Sequence, residues 1–221
     1  MSSTKAFTAT VVVALWTMAC GASAPAGPVV HEHHVVERGA ATDVRVEIDM
    51  SAGEVTVKSG AAKLFEGDFD FNVPVLKPAI AYAANGSTGM LKVSQGSTSG
   101  NYENTWRLSL DETTPVDLDV TLKAGDAQLV LRRLNLRSLT IRLSAGDLMV
   151  DLRGTPMKSY SVSVEASVGI SARTSGIIGD SNVSGLEKRD GRWINPRAES
   201  ASVTIDLQVQ QAIGDLRLLA E

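Results

Sequence analysis

From Asp43 onward, apolar and polar positions alternate with a period of two. DVRVEIDM (Asp43 to Met50) sets Val44, Val46, Ile48 and Met50 on one face and Arg45, Glu47 and Asp49 on the other, as a half-buried strand requires. The alternation returns in MLKVSQ (Met90 to Gln95), TWRLSL (Thr105 to Leu110), VDLDVTL (Val116 to Leu122), SLTIRL (Ser138 to Leu143), SVSVEA (Ser161 to Ala166) and SVTIDLQV (Ser202 to Val209). Past the N-terminal leader no comparable stretch carries a convincing 3.6-residue period, so the pattern predicts an all-β fold.

A longer rhythm lies over the short one. SAGEVTV (Ser51 to Val57) is echoed by KAGDAQLVL (Lys123 to Leu131), SAGDLMVDL (Ser144 to Leu152) and QAIGDLRLL (Gln211 to Leu219). Turn glycines fall at Gly53, Gly125, Gly146, Gly169 and Gly214, in steps of 72, 21, 23 and 45 residues. A period near 22 with glycine at each corner predicts a solenoid-like, β-helix-like stack of short strands, each unit burying its apolar face against the next. Glycine suits the corner because positive φ costs it little, and the following acid can bond nearby backbone amides.

Within one unit, Leu129, Leu131, Leu134, Leu136, Leu139, Ile141 and Leu143 take inward positions, while Arg132, Arg133, Arg137 and Arg142 project outward. The four arginines form a candidate patch for anionic glycan or phospholipid headgroups, although solvated charges are the commoner use of such positions. Asp126, Asp147 and Asp215 share one repeat position. Stacked in register they make a candidate Ca2+ or ligand ladder, with ordinary turn formation as the simpler role.

The organisation predicted from these patterns is a leader over residues 1–19, a tether over 20–42, an N-terminal β region over 43–115 and solenoid repeats over 116–221. The first β region is less regular. FEGDFDFNVPVLKPAIAYAANGSTG (Phe65 to Gly89) carries two prolines and an Asn-Gly turn, which suits longer hairpins acting as a cap. Phe65, Phe69, Phe71 and Trp106 are expected to cover the open end of the core.

Before this domain, Lys5 and the apolar run AFTATVVVALWTMA (Ala6 to Ala19) have the form of an export signal, too short to span a bilayer comfortably. Cys20 is the single cysteine, so no internal disulfide can form. Ala19-Cys20-Gly21 resembles the lipobox of bacterial lipoproteins, which implies diacylation of Cys20 and a membrane anchor. The alternative is cleavage after Ala24, at Ala22-Ser23-Ala24, which would discard Cys20. Either route takes the domain out of the cytoplasm, and the lipid would hold it in the cell envelope, on the outer side of the cytoplasmic membrane or in the outer membrane.

Gly21 to Thr42 is rich in small residues and proline, the composition of a flexible tether. It contains all three histidines, His31, His33 and His34. Histidine is a common metal ligand, but a mobile tether gives neither fixed geometry nor a second shell. The expectation is therefore no metal and no cofactor.

Charge and chemistry narrow the function further. The 221-residue chain has a formal net charge of -4, without the basic footprint of a nucleic-acid binder. With every histidine in the tether and the only cysteine at the leader, no Ser-His-Asp or Cys-His machinery is expected inside the domain, and phosphate-binding glycine loops are absent. No catalytic residue is predicted.

The succession SAGEVTV, NTWRLSL with TPVDLDV, then KAGDAQLVLRRLNLRSLTIRLSAGDLMVDL, continuing through GLEKRDGRWIN (Gly185 to Asn195) to VTIDLQVQQAIGDLRLL, resembles the toast-rack (DUF2154-type) family. That family is related to the C-terminal domain of LiaF-type cell-wall antibiotic response proteins and to adhesin-type repeats. The resemblance implies a stacked β architecture and an envelope role, and carries over no catalytic residue. Three readings stand: a non-enzymatic envelope lipoprotein binding a protein or surface polymer, a regulatory module of a membrane stress system, and a glycan-active enzyme using Asp126, Asp147 and Arg142. The first is the expected one.

Overall fold

The computed structural model describes residues 26–100, 102–152, 160–166, 169–175, 181–184, 187–190, 192–194, 204–210 and 216–220. Its strands are β1 (Val30–Val36), β2 (Asp43–Met50), β3 (Gly53–Ser59), β4 (Phe65–Phe71), β5 (Ala79–Asn85), β6 (Thr88–Ser94), β7 (Asn104–Leu110), β8 (Val116–Leu122) and β9 (Gly125–Val130). They continue as β10 (Leu136–Leu143), β11 (Leu148–Asp151), β12 (Ser161–Ala166), β13 (Gly169–Ser175), β14 (Ser181–Ser184), β15 (Glu187–Arg189), β16 (Arg192–Ile194), β17 (Thr204–Gln210) and β18 (Leu216–Ala220). The only helical element among the described residues is a 3-10 turn, Pro74–Leu76. The fold is all-β, as the period-two alternation predicts.

Two open sheets carry these strands. One has ten strands in the order β1-β4-β7-β3-β9-β11-β17-β13-β16-β15, the other eight in the order β14-β18-β12-β10-β8-β2-β6-β5. The central strands of both are parallel. The chain passes from the eight-stranded sheet into the ten-stranded one in four arches, β2/β3, β6/β7, β8/β9 and β10/β11, with tight corners between β2 and β3 and between β8 and β9 and a longer connection between β6 and β7. Inward side chains from both sheets form one core that includes Val46, Ile48, Val57, Leu91, Leu108, Leu118, Leu129, Ile141 and Val164. Strands from residues 43–115 and from 116–166 contribute to it alike, so the two regions separated in the sequence reading share both sheets.

The 21- and 23-residue steps reappear as register: Ile141 pairs with Val120 on one side and with Val164 on the other. The 72-residue step reflects a spatial order that is not the chain order. Arch β6/β7 lies outside β2/β3, so that β2 is flanked by β6 and β8, and β3 by β7 and β9. The corner glycines form a column, with Gly53 paired to Gly125. Gly53, Gly125 and Gly146 have φ of 132°, 117° and 119°. A Cβ on Gly125 would strike the Gly53 carbonyl oxygen, and one on Gly146 the Gly125 carbonyl oxygen. Positive φ and backbone-to-backbone contact together restrict the column to glycine. Gly169 opens β13, and Gly214 lies outside the described residues.

Antiparallel strands close the N-terminal end of each sheet: β4 and then β1 beyond β7, and β5 beyond β6. Phe65, Phe69 and Trp106 are fully buried in the main core, with Phe69 and Trp106 packed edge to face at 5.4 Å. Phe71 departs from the expected group and joins Val73, Leu76 and Tyr102 in a small separate cluster. The tether expectation also needs correction. Val30–Val36, inside that stretch, pairs residue for residue with Phe65–Phe71. Its inward positions hold Glu32 and His34 beside Val36, and polar pairing offsets what would otherwise be an unfavourable burial.

Candidate functional site

The outer face of the eight-stranded sheet is a lattice of opposite charges. Because β2, β8 and β10 run parallel and in register, their polar alternates fall side by side: Arg45 beside Asp117 and Glu47 beside Asp119, with Ser138 and Thr140 opposite those two aspartates. Arg142 donates to Asp119 over 2.8 Å and lies 3.3 Å from Glu165. Arg45 sits 3.2 Å from Glu47 and 3.8 Å from Asp119. Arg137 bonds Asp117 and lies 3.3 Å from Asp43, while the Ser138 hydroxyl donates to Asp117 over 2.7 Å.

Between these groups Arg45, Asp117, Leu118, Asp119, Ser138 and Thr140 line a shallow depression of about 300 Å3. Burial alone would push the Asp117 carboxyl up. Hydrogen bonds from Arg137 and Ser138, with the charges of Arg137 and Arg45, outweigh it and hold the group below the usual carboxylate range. Asp117 and Asp119 hold Arg137 and Arg142 respectively above the usual guanidinium value.

The four arginines of the sequence reading therefore do not form a free cationic patch. Arg132 is bonded to Asp151, Arg133 to Glu112 at 2.7 Å, Arg137 to Asp117 and Arg142 to Asp119. The partners of Arg132, Arg137 and Arg142 stand 19, 20 and 23 residues away, close to one repeat. The period, applied to charges as well as to leucines, would have located them.

The proposed acidic ladder has a different local role at its first step. Asp126 accepts a hydrogen bond from the backbone amide of Asp147 over 3.1 Å, tying one corner to the next. Asp215 lies outside the described residues, as does Cys20. Arg142, grouped with Asp126 and Asp147 in the enzymatic reading, belongs to the other sheet and is engaged by Asp119 and Glu165. Among the described residues no three His, Cys, Asp or Glu side chains converge as a metal cage.

A second polar feature, missed by treating residues 20–42 as tether, lies at the edge of the ten-stranded sheet. His31 Nδ1 bonds Asp70 at 2.5 Å and His33 Nδ1 bonds Asp68 at 2.7 Å. Arg107 grips Asp70 from its other side, at 2.8 and 2.5 Å. His34 faces the opposite way, edge-on to Phe69 at 5.7 Å, and bonds Glu32. Hydrogen bonds from Lys77 and His34 hold the Glu32 carboxyl below its usual range.

A family model described as the N-terminal domain of toast_rack, DUF2154, matches residues 25–172. A solved structure of a candidate cell adhesion protein from Clostridium sporogenes is 21% identical, with a TM-score of 0.63 over 88% of this chain and 100% of its own. A candidate adhesin from Bacteroides fragilis is 10% identical over 88% of this chain and 99% of its own, at a TM-score of 0.33. The first likeness establishes the fold; the second is too distant to add to it. A search of curated proteins gives no match.

Proposed function

The chain belongs to the toast-rack N-terminal domain family, and from that premise we propose that it is a non-enzymatic protein of the cell envelope. Its stacked arches, read as coils of a solenoid-like body, serve as a rigid binding or scaffold surface, and Cys20 carries the lipid that tethers them. The description of the Clostridium sporogenes neighbour as a candidate cell adhesion protein agrees with such a role.

The observation that carries this reading is the charge lattice around Asp117 and Asp119. Glycoside hydrolysis needs one carboxyl kept protonated near neutral pH. At this face Asp117 is shifted the other way and Asp119 is engaged by Arg142 and Arg45. Of the residues in the glycan-active reading, Asp126 accepts the Asp147 amide across a corner and Arg142 belongs to the other sheet. Carboxylates and guanidiniums held on parallel strands can instead exchange partners with a ligand, since exposed pairs contribute little individually and are readily replaced. A polymer or protein with alternating polar groups matches the 4.7–4.9 Å strand spacing of that face.

The test has two parts. Mass spectrometry of the mature N-terminus, with fractionation of wild type and Cys20→Ala, is expected to show a diacylated Cys20 and release of the variant into the soluble fraction. Cleavage after Ala24 without lipid would overturn the tether. A photo-crosslinker at Thr140, compared with one at Glu54 on the other sheet, is expected to capture an envelope component preferentially from the charged face. Equal capture from both faces would remove that face from the proposal.

A further inference from the structure

The geometry points to a binding site for a divalent transition-metal ion, Cu2+ or Zn2+, on the paired imidazoles of His31 and His33. Its basis is the position of the two rings. As alternate residues of β1 they share its outer face, with Cα atoms about 6.6 Å apart. They stand directly opposite Asp70 and Asp68 of β4. The rings extend from a strand whose seven residues are all paired to β4.

Each ring is also electronically prepared for a metal. A carboxylate can only accept, so the bonds at 2.5 and 2.7 Å require the proton of each neutral ring to reside on Nδ1. The lone pair then lies on Nε2, which points away from the carboxylate that Nδ1 engages. No described group bonds either Nε2. A carboxylate behind the non-ligating nitrogen fixes the tautomer and ring orientation and raises ligand basicity, the usual support of metal-binding histidines. For His31 the support extends one layer further, because Arg107 clamps Asp70.

The arrangement also separates His31 and His33 from their neighbour. His34 projects to the other face and spends its Nε2 on Glu32 at 3.1 Å. A three-histidine cluster is therefore not what the fold builds. It builds two exposed imidazoles, their rings 75% and 57% accessible, on a strand that ends its sheet. Two nitrogen ligands at about 2.0–2.1 Å suit Zn2+ and Cu2+. The remaining coordination positions go to water or to a donor from a bound molecule, so the site is open.

Titration of the full chain carrying Cys20→Ala, with Cu2+ alone or Zn2+ alone, tests the proposal. Cu2+ is expected to give one site whose electron paramagnetic resonance spectrum shows two imidazole nitrogens. His31→Ala and His33→Ala should each abolish that signature, while His34→Ala should retain it. Asp70→Asn and Asp68→Asn should weaken binding by about tenfold through the supporting bonds, with circular dichroism confirming that the β fold persists. Equal loss in His34→Ala, or unchanged affinity in both Asp variants, would mean that a flexible His-rich segment binds the ion and would overturn the built site. Persistence of the signature in the His31/His33 double variant would overturn it as well.

Discussion

The indole nitrogen of Trp106 donates to Oδ1 of Asn104 over 3.1 Å, and Asn104 is itself only 4% exposed. The same amide donates through Nδ2 to the Ala52 carbonyl and to Gln95 Oε1. Asn104 thus occupies the outer end of the glycine column and joins the corners of two neighbouring arches. Asn104→Ala leaves the buried indole N–H without this acceptor and removes the cross-arch bonds. An unmade buried hydrogen bond costs about 1–3 kcal/mol, so urea denaturation should show a loss of about 3 kcal/mol. A loss within about 0.5 kcal/mol, the range of ordinary surface changes, would show that the network is dispensable.

Two glycines with positive φ should respond differently to alanine. Gly86, at φ 63° in the β5–β6 turn, has open space where a Cβ would go. Gly86→Ala should cost only the conformational strain of about 1–2 kcal/mol. Gly125→Ala adds a collision with the Gly53 backbone and should cost at least about 3 kcal/mol or prevent folding. Thermal melts of the two variants side by side measure the difference.

Asp117 gives a pH dependence of defined sign. Its folded-state pKa lies below the ordinary value of about 3.9, so the unfolded chain binds more protons in the acid range. The stability it supplies is present above about pH 4 and is lost as the pH falls through the folded value. Asp117→Asn should therefore be less stable than wild type at pH 7, with the gap in Tm narrowing as the pH falls below about 4. A gap that stays constant across this range would rule out ionic stabilisation at this residue.

The arginines should divide by the burial of their partners. Arg142, 46% exposed, pairs with Asp119 and with a Glu165 that is 50% exposed. Arg142→Gln should cost less than about 1 kcal/mol, and less again in high salt. Asp151 is buried and accepts from Arg132 Nε at 2.6 Å, with further interactions of its own. Arg132→Gln should cost about 2 kcal/mol, because charge-assisted bonds to a desolvated carboxylate are lost. Equal, salt-sensitive losses in the two variants would contradict this division.

What the sequence makes legible here is whatever repeats. Val46, Leu118, Ile141 and Val164 alternate with polar residues because one side of each strand is dry, and that pattern needs no knowledge of the partner strand. The glycine corners are equally plain, since Gly53, Gly125 and Gly146 meet the same steric demand at each step. β1 escapes the same reading because its inward alternates include Glu32 and His34, whose burial is satisfied by Lys77, by each other and by Phe69. The partners of its outward histidines, Asp68 and Asp70, come from a hairpin region that the repeat period does not reach. Likewise Asn104 stands in register where the later arches place glycine, and its role depends on Ala52 and Gln95, which only the out-of-order stacking brings near.

That stacking bears on how the chain can acquire its structure. Val46 pairs with Leu91 on one side and with Leu118 on the other, so both neighbours of β2 lie 45 and 72 residues downstream. A chain emerging N-terminus first leaves β2 and β3 with unpaired edges until β9 has followed. Contacts of such separation are slow to form because loop closure precedes any gain from pairing. The first arch therefore gains its inner neighbours, β8 and β9, last, and its pairing is complete only once more than half of the chain is available to fold.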